Sequence, residues 1–578
     1  MPIISSRSKL GNNSWVVSVL SVFVTTEILL FVGLAAGSLP ATTAPISSHF
    51  SEFSSGDIFS AYCKRAPHKA ACESMLSSVL TTTSTTTATP QTLADLFDHS
   101  VKYSMGQAHS ARALAYNLSL SYPSAPGNLI GGGMNDCLEL LEDSLDQLSN
   151  VDNRENKPST SIDDDVRTWL SAALTNQAAC LESLENYRFK VGKGVMDAKA
   201  QTLSHFISNS LNLYMSSKPK EAKKSSTRSS TGGRRKTLSE DFPTWVSAAE
   251  RKLLQASIGE IEANAVVAKD GSGTHGSIGE ALELVASLAD GGRTVIHIKA
   301  GTYRENLNIP SKQHNVMLVG DGKGVTVIVG DKNSVDGSTT YGTATVGAMG
   351  DGFIARDITF VNSAGPEKHQ AVALRVGSDK SVIFRCSILG YQDTLYTLSK
   401  RQFYRETDIY GTVDFIFGNS AAVFQSCGIY VRKPPSGRDN FITAQGRSSS
   451  DENTGISIHN CKIAAASDLA PVQSKFATYL GRPWKQHSRT VIMQSSLGGL
   501  IHPAGWSPWS GSFALNTLYY GEYMNSGPGA STSGRVKWPG YHSSLTSAEA
   551  QTFTVAGFIA GNLWLPSTGV SFDSGLLG

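Results

Sequence analysis

Two kinds of hydrophobic pattern divide the chain. From about Ile58 to Tyr214, apolar residues recur at helical spacing, and glycine and proline are few. Leu138, Leu140, Leu141, Leu145 and Leu148 mark one helix face, and Trp169, Leu170, Ala173, Leu174 and Ala178 mark another. This stretch predicts a helical bundle, with the low-complexity run Thr81 to Thr89 as a loop. From Ile258 onward the pattern changes to short apolar runs punctuated by glycine, such as Val295-Ile296-His297-Ile298 and Val316-Met317-Leu318-Val319. These predict short strands joined by glycine turns.

The strand-rich half carries a weak repeat. Arg385-Cys386-Ser387-Ile388, Glu406-Thr407-Asp408-Ile409, Ser426-Cys427-Gly428-Ile429 and Asn460-Cys461-Lys462-Ile463 align, with isoleucines 21, 20 and 34 residues apart. Short β units at such a period predict a solenoid of stacked coils, a β-helix. Asp393 and Asp414 are also 21 residues apart. Equivalent positions of neighbouring coils lie about 4.8 Å apart, so the two aspartates are expected to face each other across one coil step. Carboxylates that close do not both ionise freely; one is pushed toward its protonated form. An acid beside a nucleophile or base is the chemistry this pairing predicts. Gln370 and Gln392, 22 residues apart, are expected to converge on the same point.

Composition adds organisation. With 578 residues the chain is expected to hold more than one domain, and a net charge of +2 gives no sign of nucleic-acid binding. Arg7 and Lys9 precede the apolar run Trp15 to Gly37, which ends in small residues. Residues 1–38 therefore read as a signal peptide or signal anchor, and the protein as secreted. In an oxidising compartment the seven cysteines are disulfide candidates, with one left over. Cys63 and Cys72 form a close pair that would clip an amino-terminal hairpin, and Cys137 and Cys180 a distant pair that would tie two helices. The coil repeat brings Cys427 and Cys461 into disulfide range and leaves Cys386 as the free thiol. Asn117-Leu118-Ser119 is a candidate glycosylation site. Between Lys218 and Lys236 there are eight basic residues and one acid among Ser, Thr and Gly, a composition that favours a solvated spacer. Of the basic clusters Arg234-Arg235-Lys236 and Arg251-Lys252-Leu253-Leu254, the second is the expected cleavage point, because it lies next to the β region.

The β half resembles the pectin methylesterases, and the helical half resembles the inhibitor-like pro-domain that many plant members carry. The first resemblance rests on Gly301-Thr302-Tyr303-Arg304-Glu305, Gln370-Ala371-Val372-Ala373-Leu374-Arg375, Tyr391-Gln392-Asp393-Thr394-Leu395-Tyr396, Gly411-Thr412-Val413-Asp414-Phe415-Ile416-Phe417-Gly418-Asn419 and Leu480-Gly481-Arg482-Pro483-Trp484, in family order. The second rests on Asn135-Asp136-Cys137-Leu138-Glu139-Leu140-Leu141 and on Asp165-Val166-Arg167-Thr168-Trp169-Leu170. Thr407 and Thr397-Leu398 depart from the common family residues at their positions. The resemblance implies a right-handed parallel β-helix at 255–578, mainly β, behind an all-α four-helix-bundle pro-domain at 54–214 and a basic Ser-rich linker with a processing site at 215–254.

It further implies hydrolysis of the methyl esters of pectin in the plant cell wall, or apoplast. Asp414 would be the nucleophile, Asp393 the proton donor and then base, Gln370 and Gln392 the oxyanion donors, and Arg482 the partner of Asp414. Thr340, Gln370, Tyr396, Phe417, Arg482 and Trp484 would bind the sugar chain, with Tyr341 and Trp506 as additions. Expected partners are pectin, a processing protease and proteinaceous pectinesterase inhibitors, acting on a monomer. No metal or organic cofactor is expected, since the histidines are scattered and no Cys-x-x-Cys pair occurs. A lyase or glycosidase on the same fold is the competing reading, and a wall-binding inhibitor without activity is another; neither enzyme class explains two glutamines in step with two aspartates.

Overall fold

The computed structural model describes residues 60–82, 92–121, 132–156, 161–185, 190–218, 262–286 and 292–578. The amino-terminal signal, most of the Thr81 to Thr89 run, the linker beyond 218 and Arg251-Lys252-Leu253-Leu254 lie outside the described residues.

Among the described residues, five long helices build the amino-terminal half: α1 (Lys69–Thr82), α2 (Leu93–Ser121), α3 (Gly132–Asp152), α4 (Ile162–Leu184) and α5 (Lys190–Ser217). Three acids in the first turn of α4, Asp163, Asp164 and Asp165, suit the positive end of its dipole. Leu140, Leu141, Leu148, Leu170 and Ala173 from the predicted stripes are completely buried. The α3–α4 seam is the tightest. A Cβ on Gly133 would come within 2.5 Å of the Ser183 carbonyl oxygen, so only glycine permits the approach. One turn along, Cys137 and Cys180 are bridged with Cα atoms 4.6 Å apart. Cys63 and Cys72 form the second disulfide, closing the turn before α1.

The rest of the chain winds into coils that stack three parallel sheets of eleven, seven and eight strands. The isoleucine repeat is one interior row: Phe360, Ile388, Ile409, Ile429, Ile463 and Leu497 pair in register. The 34-residue step is a coil lengthened on both sides of strand Asn440–Gln445. Each coil turns at a residue with left-handed backbone: Asp357, Arg385, Glu406, Ser426, Asn460 and Gln494 all have φ between 50° and 60°. Along the outer face of the eleven-stranded sheet, Met317, Val319, Val382, Phe403 and Val423 are covered by Val555, Ile559, Trp564 and Leu565 from the carboxy-terminal segment.

The expected Cys427–Cys461 bridge is not formed; Cys386, Cys427 and Cys461 are all buried free thiols. They occupy one coil position with Thr407 and Ser495, just after the left-handed corner. There the side chains bond to main chain instead. Cys427 Sγ faces the carbonyls of Tyr404 and Gln425, and Cys461 Sγ those of Phe424 and His459. Cys461 Sγ in turn accepts the Cys427 N–H at 3.3 Å, as Thr407 Oγ1 accepts that of Cys386 and Ser495 Oγ that of Cys461. Spacing places these cysteines within range, but side-chain direction spends each sulfur on a ladder.

The helical half docks on the seven-stranded sheet. One apolar cluster runs from Leu140, Leu170 and Phe206 into Tyr341, Met349, Val372, Tyr396, Leu398 and Phe417. Around it Lys400 Nζ bonds Asp143 at 2.8 Å with both side chains 1% exposed, and Arg401 pairs with Asp165 at 2.6 Å. Asn419 Nδ2 donates to Thr175 Oγ1 at 2.8 Å, and Asn308 Nδ2 to Glu139 Oε1 at 2.9 Å.

Candidate active site

The seven-stranded sheet carries the expected site on its outer face. Leu374, Leu395 and Ile416 pair in register, so the corners two residues before them stack as well. Asp393 and Asp414 occupy those corners, with φ of 60° and 50°. Such backbone costs about 1–3 kcal/mol per non-glycine residue and survives where the surroundings dictate it. Here the Asp393 N–H bonds to Val413 O at 3.0 Å, one coil on.

Both carboxyls are buried, 8% and 5% exposed. Burial pushes Asp393 well above the usual carboxylate range, the neighbouring Asp414 charge pushes it further, and Arg482 opposes both. Burial raises Asp414 too, but Arg482 counters it directly by a two-pronged contact, Nε to Oδ1 at 2.8 Å and Nη2 to Oδ2 at 2.5 Å. The Arg482 guanidinium lies 4.1 Å from the Phe441 ring centre and 4.4 Å from that of Trp509. It is a fork fixed in position, and it favours the anion of Asp414 over that of Asp393.

A cavity of about 390 Å³ brings together Thr340, Tyr341, Gln370, Gln392, Asp393, Tyr396, Asp414, Phe417, Arg482 and Trp484. Every catalytic and sugar-binding residue expected in the main set is in it. Gln370 accepts the Ser334 hydroxyl on its Oε1 at 2.6 Å, which reserves its amide protons for other acceptors. Tyr396 and Phe417 stack at 4.2 Å, and Trp484 meets Phe417 edge-on at 5.8 Å. A Cβ on Gly446 would come 2.9 Å from the Trp484 ring, so that glycine lets the indole lie against the sheet.

Trp506 is not part of the cleft. It bridges to Gly481, turns inward, stacks on Tyr520 at 4.2 Å and is 1% exposed, with its N–H toward Glu522. Trp509, three residues on, lines the cavity in its place. Tyr341 does line it, yet its hydroxyl donates to Glu139 of α3. The sequence reading also missed Ser334, Lys485 and the contribution of α4 and its C-cap: Ala179, Glu182, Ser183 and Glu185 form one wall. Lys485 Nζ is 2.7 Å from Glu182 Oε1. Asp136 of α3, buried and accepting the Thr339 hydroxyl at 2.5 Å, is pushed up to about 6, chiefly by burial. Among the described residues, no group of three His, Cys, Asp or Glu side chains is placed to hold a metal ion.

Comparison with known proteins places both halves in families. Residues 264–562 match the pectinesterase family, and residues 57–213 match the plant invertase/pectin methylesterase inhibitor family. Over 483 residues the chain is 61% identical to the probable pectinesterase/pectinesterase inhibitor 35 of Arabidopsis thaliana, covering 83% of this chain and 88% of that protein. It is 47% identical over 550 residues to pectinesterase 2 of Citrus sinensis, covering 95% and 99% of the two. Among solved structures, carrot pectin methylesterase superposes with a TM-score of 0.53 at 57% identity, covering 55% of this chain and 99% of its own. The chain thus belongs to the plant pectinesterases, carboxylic ester hydrolases of pectin, in the form that carries an amino-terminal inhibitor domain.

Proposed function

We propose that Asp414 is the nucleophile and Asp393 the acid and base of pectin demethylation, with the helical half holding the enzyme inactive until it is removed. Asp414 Oδ attacks the ester carbonyl carbon, and the carbonyl oxygen takes the negative charge. The amides of Gln370 and Gln392 donate to that oxyanion, each worth about 3–4 kcal/mol in the transition state. The C–O bond to methoxide then breaks as Asp393 gives up its proton, releasing methanol and leaving an acyl group on Asp414. Asp393, now anionic, takes a proton from water, whose oxygen attacks the acyl carbon and frees the galacturonate carboxyl and Asp414. The observation that carries this reading is the asymmetry of the pair, with Arg482 clamping only Asp414. Replacing Asp414 by Asn keeps the shape and removes the nucleophile. Methanol release from methylated pectin is expected to fall roughly 10³-fold or more, and a variant keeping a tenth of the activity overturns the assignment.

The inhibitory part rests on α4, whose Glu182 and Ser183 stand where a sugar chain would need to lie. Cleavage at Arg251-Lys252-Leu253-Leu254 would leave the β-helix starting near Gln255. The wild-type chain cut there is expected to turn over pectin about tenfold faster than the intact chain; equal rates remove the claim. The segment 1–38 fits secretion to the cell wall, and Asn117, on an exposed face of α2, is the position for a glycan.

A further inference from the structure

The β-helix contributes four charged side chains to the cavity. Of these, Asp414 and Arg482 are paired with each other, and Asp393 feels the charge of both. The fourth, Lys485, pairs with no carboxylate of the β-helix among the described residues. Its one ion-pair partner is Glu182, which α4 carries into the cavity, and its ammonium sits 5.0 Å over the Trp484 ring. Glu182 is near enough to Asp393 and Tyr396 to raise the pKa of both. A carboxylate is thus held by a lysine beside an indole face, in a cavity whose substrate is a chain of galacturonate units. A bound sugar acid would make the same two contacts.

We propose that Lys485 is the subsite for a free galacturonate carboxylate lying beside the methyl ester under attack, and that Glu182 fills that subsite while the helical half is docked. The proposal rests on the catalytic reading above. A methyl ester offers Lys485 only a neutral carbonyl, whereas a carboxylate offers a full charge. Arg482 cannot make this distinction, because Asp414 takes both prongs of its fork. Lysine, a compact charge on a flexible stem, suits an acceptor whose precise angle varies from one sugar unit to the next. Once Glu182 leaves, an already demethylated unit would dock on Lys485 and present its neighbour to Asp414, so that free carboxylates accumulate in runs.

The test uses the β-helix from Gln255 onward, since the solved carrot relative, matched over 99% of its own length, spans only 55% of this chain and folds without a helical half of this kind. Methanol release is measured on galacturonate hexamers that are either fully methylated or half demethylated. The wild type is expected to prefer the half-demethylated hexamer about fivefold in kcat/KM per ester, as a partly exposed ion pair allows. High salt should shrink that preference. Lys485→Gln is expected to abolish it and Lys485→Arg to keep it. A wild type without preference, or a Lys485→Gln enzyme with the wild-type ratio, including one slowed equally on both hexamers, overturns the proposal. A wild type that releases no methanol from either hexamer refutes the catalytic reading instead.

Discussion

The two halves of the molecule hold their shape by opposite means. The helical half surrounds one core and staples it twice, at Cys63–Cys72 and Cys137–Cys180. The β-helix has three cysteines and no disulfide among its described residues. Helices touch along faces, so two side chains can meet head-on across a seam, as Cys137 meets Cys180. Stacked coils repeat their side chains in parallel, so Cys427 and Cys461 stand side by side and bond to backbone instead. The contact between the halves resembles neither. It combines aromatic packing with buried ion pairs such as Lys400–Asp143 and Arg401–Asp165. Buried pairs return little net stability, but losing one partner is costly, which makes a contact exacting without making it permanent.

Breaking one of those pairs should have the largest effect on docking. Asp165→Asn takes a charge from Arg401, which keeps Asp379 at 2.6 Å. With one partner left, the loss is expected to be about 2 kcal/mol, roughly thirtyfold in docking constant. Inhibition by the helical half, measured by dilution after the chain is cut, checks it; an unchanged midpoint shows that the pair does not hold the halves together.

Reductant sharpens the comparison. Each disulfide is worth about 2–4 kcal/mol, so dithiothreitol should lower the melting transition of the helical half by roughly 10 °C and leave that of the β-helix in place. Equal shifts in calorimetry contradict a β-helix free of bridges.

Raising the pH should separate the halves more gently. Asp136, pushed up to about 6, and Glu182, also pushed up, are both buried at the contact. A carboxyl whose docked pKa lies above its free value takes up a proton on docking. Its contribution is complete below the free value near 4 and is lost as pH rises through the docked value. Docking is therefore expected to weaken severalfold between about pH 4 and pH 6, and inhibition that tightens over that interval contradicts the assignment. The smallest effect is on thiols: alkylation of the folded β-helix should label none of Cys386, Cys427 and Cys461, and unfolding without reductant should expose all three.

How far the sequence foretold this structure depends on what each feature asks of it. The coil stack was legible because Ile388, Ile409, Ile429 and Ile463 repeat a single interior position, and the aspartates because they follow the same period. Side-chain direction within a coil was not. Spacing alone could not choose between Trp506, which turns inward, and Trp509, which lines the cavity, nor show that Cys461 faces a carbonyl. Contacts between the halves left no trace in spacing at all. Lys485 and Glu182 are separated by most of the chain, and only the docked fold shows that the two meet.

Both disulfides close within the helical half, and among the described residues none crosses to the β-helix. Covalently, the halves are joined by a single thread, residues 219–261. While it is intact, the helical half re-docks at the same rate however thinly the protein is spread, because its target travels with it. One hydrolysed peptide bond changes the order of that reaction from first to second. On the proposed reading, the freed helical half then diffuses away from the β-helix, and a reversible latch becomes a one-way release.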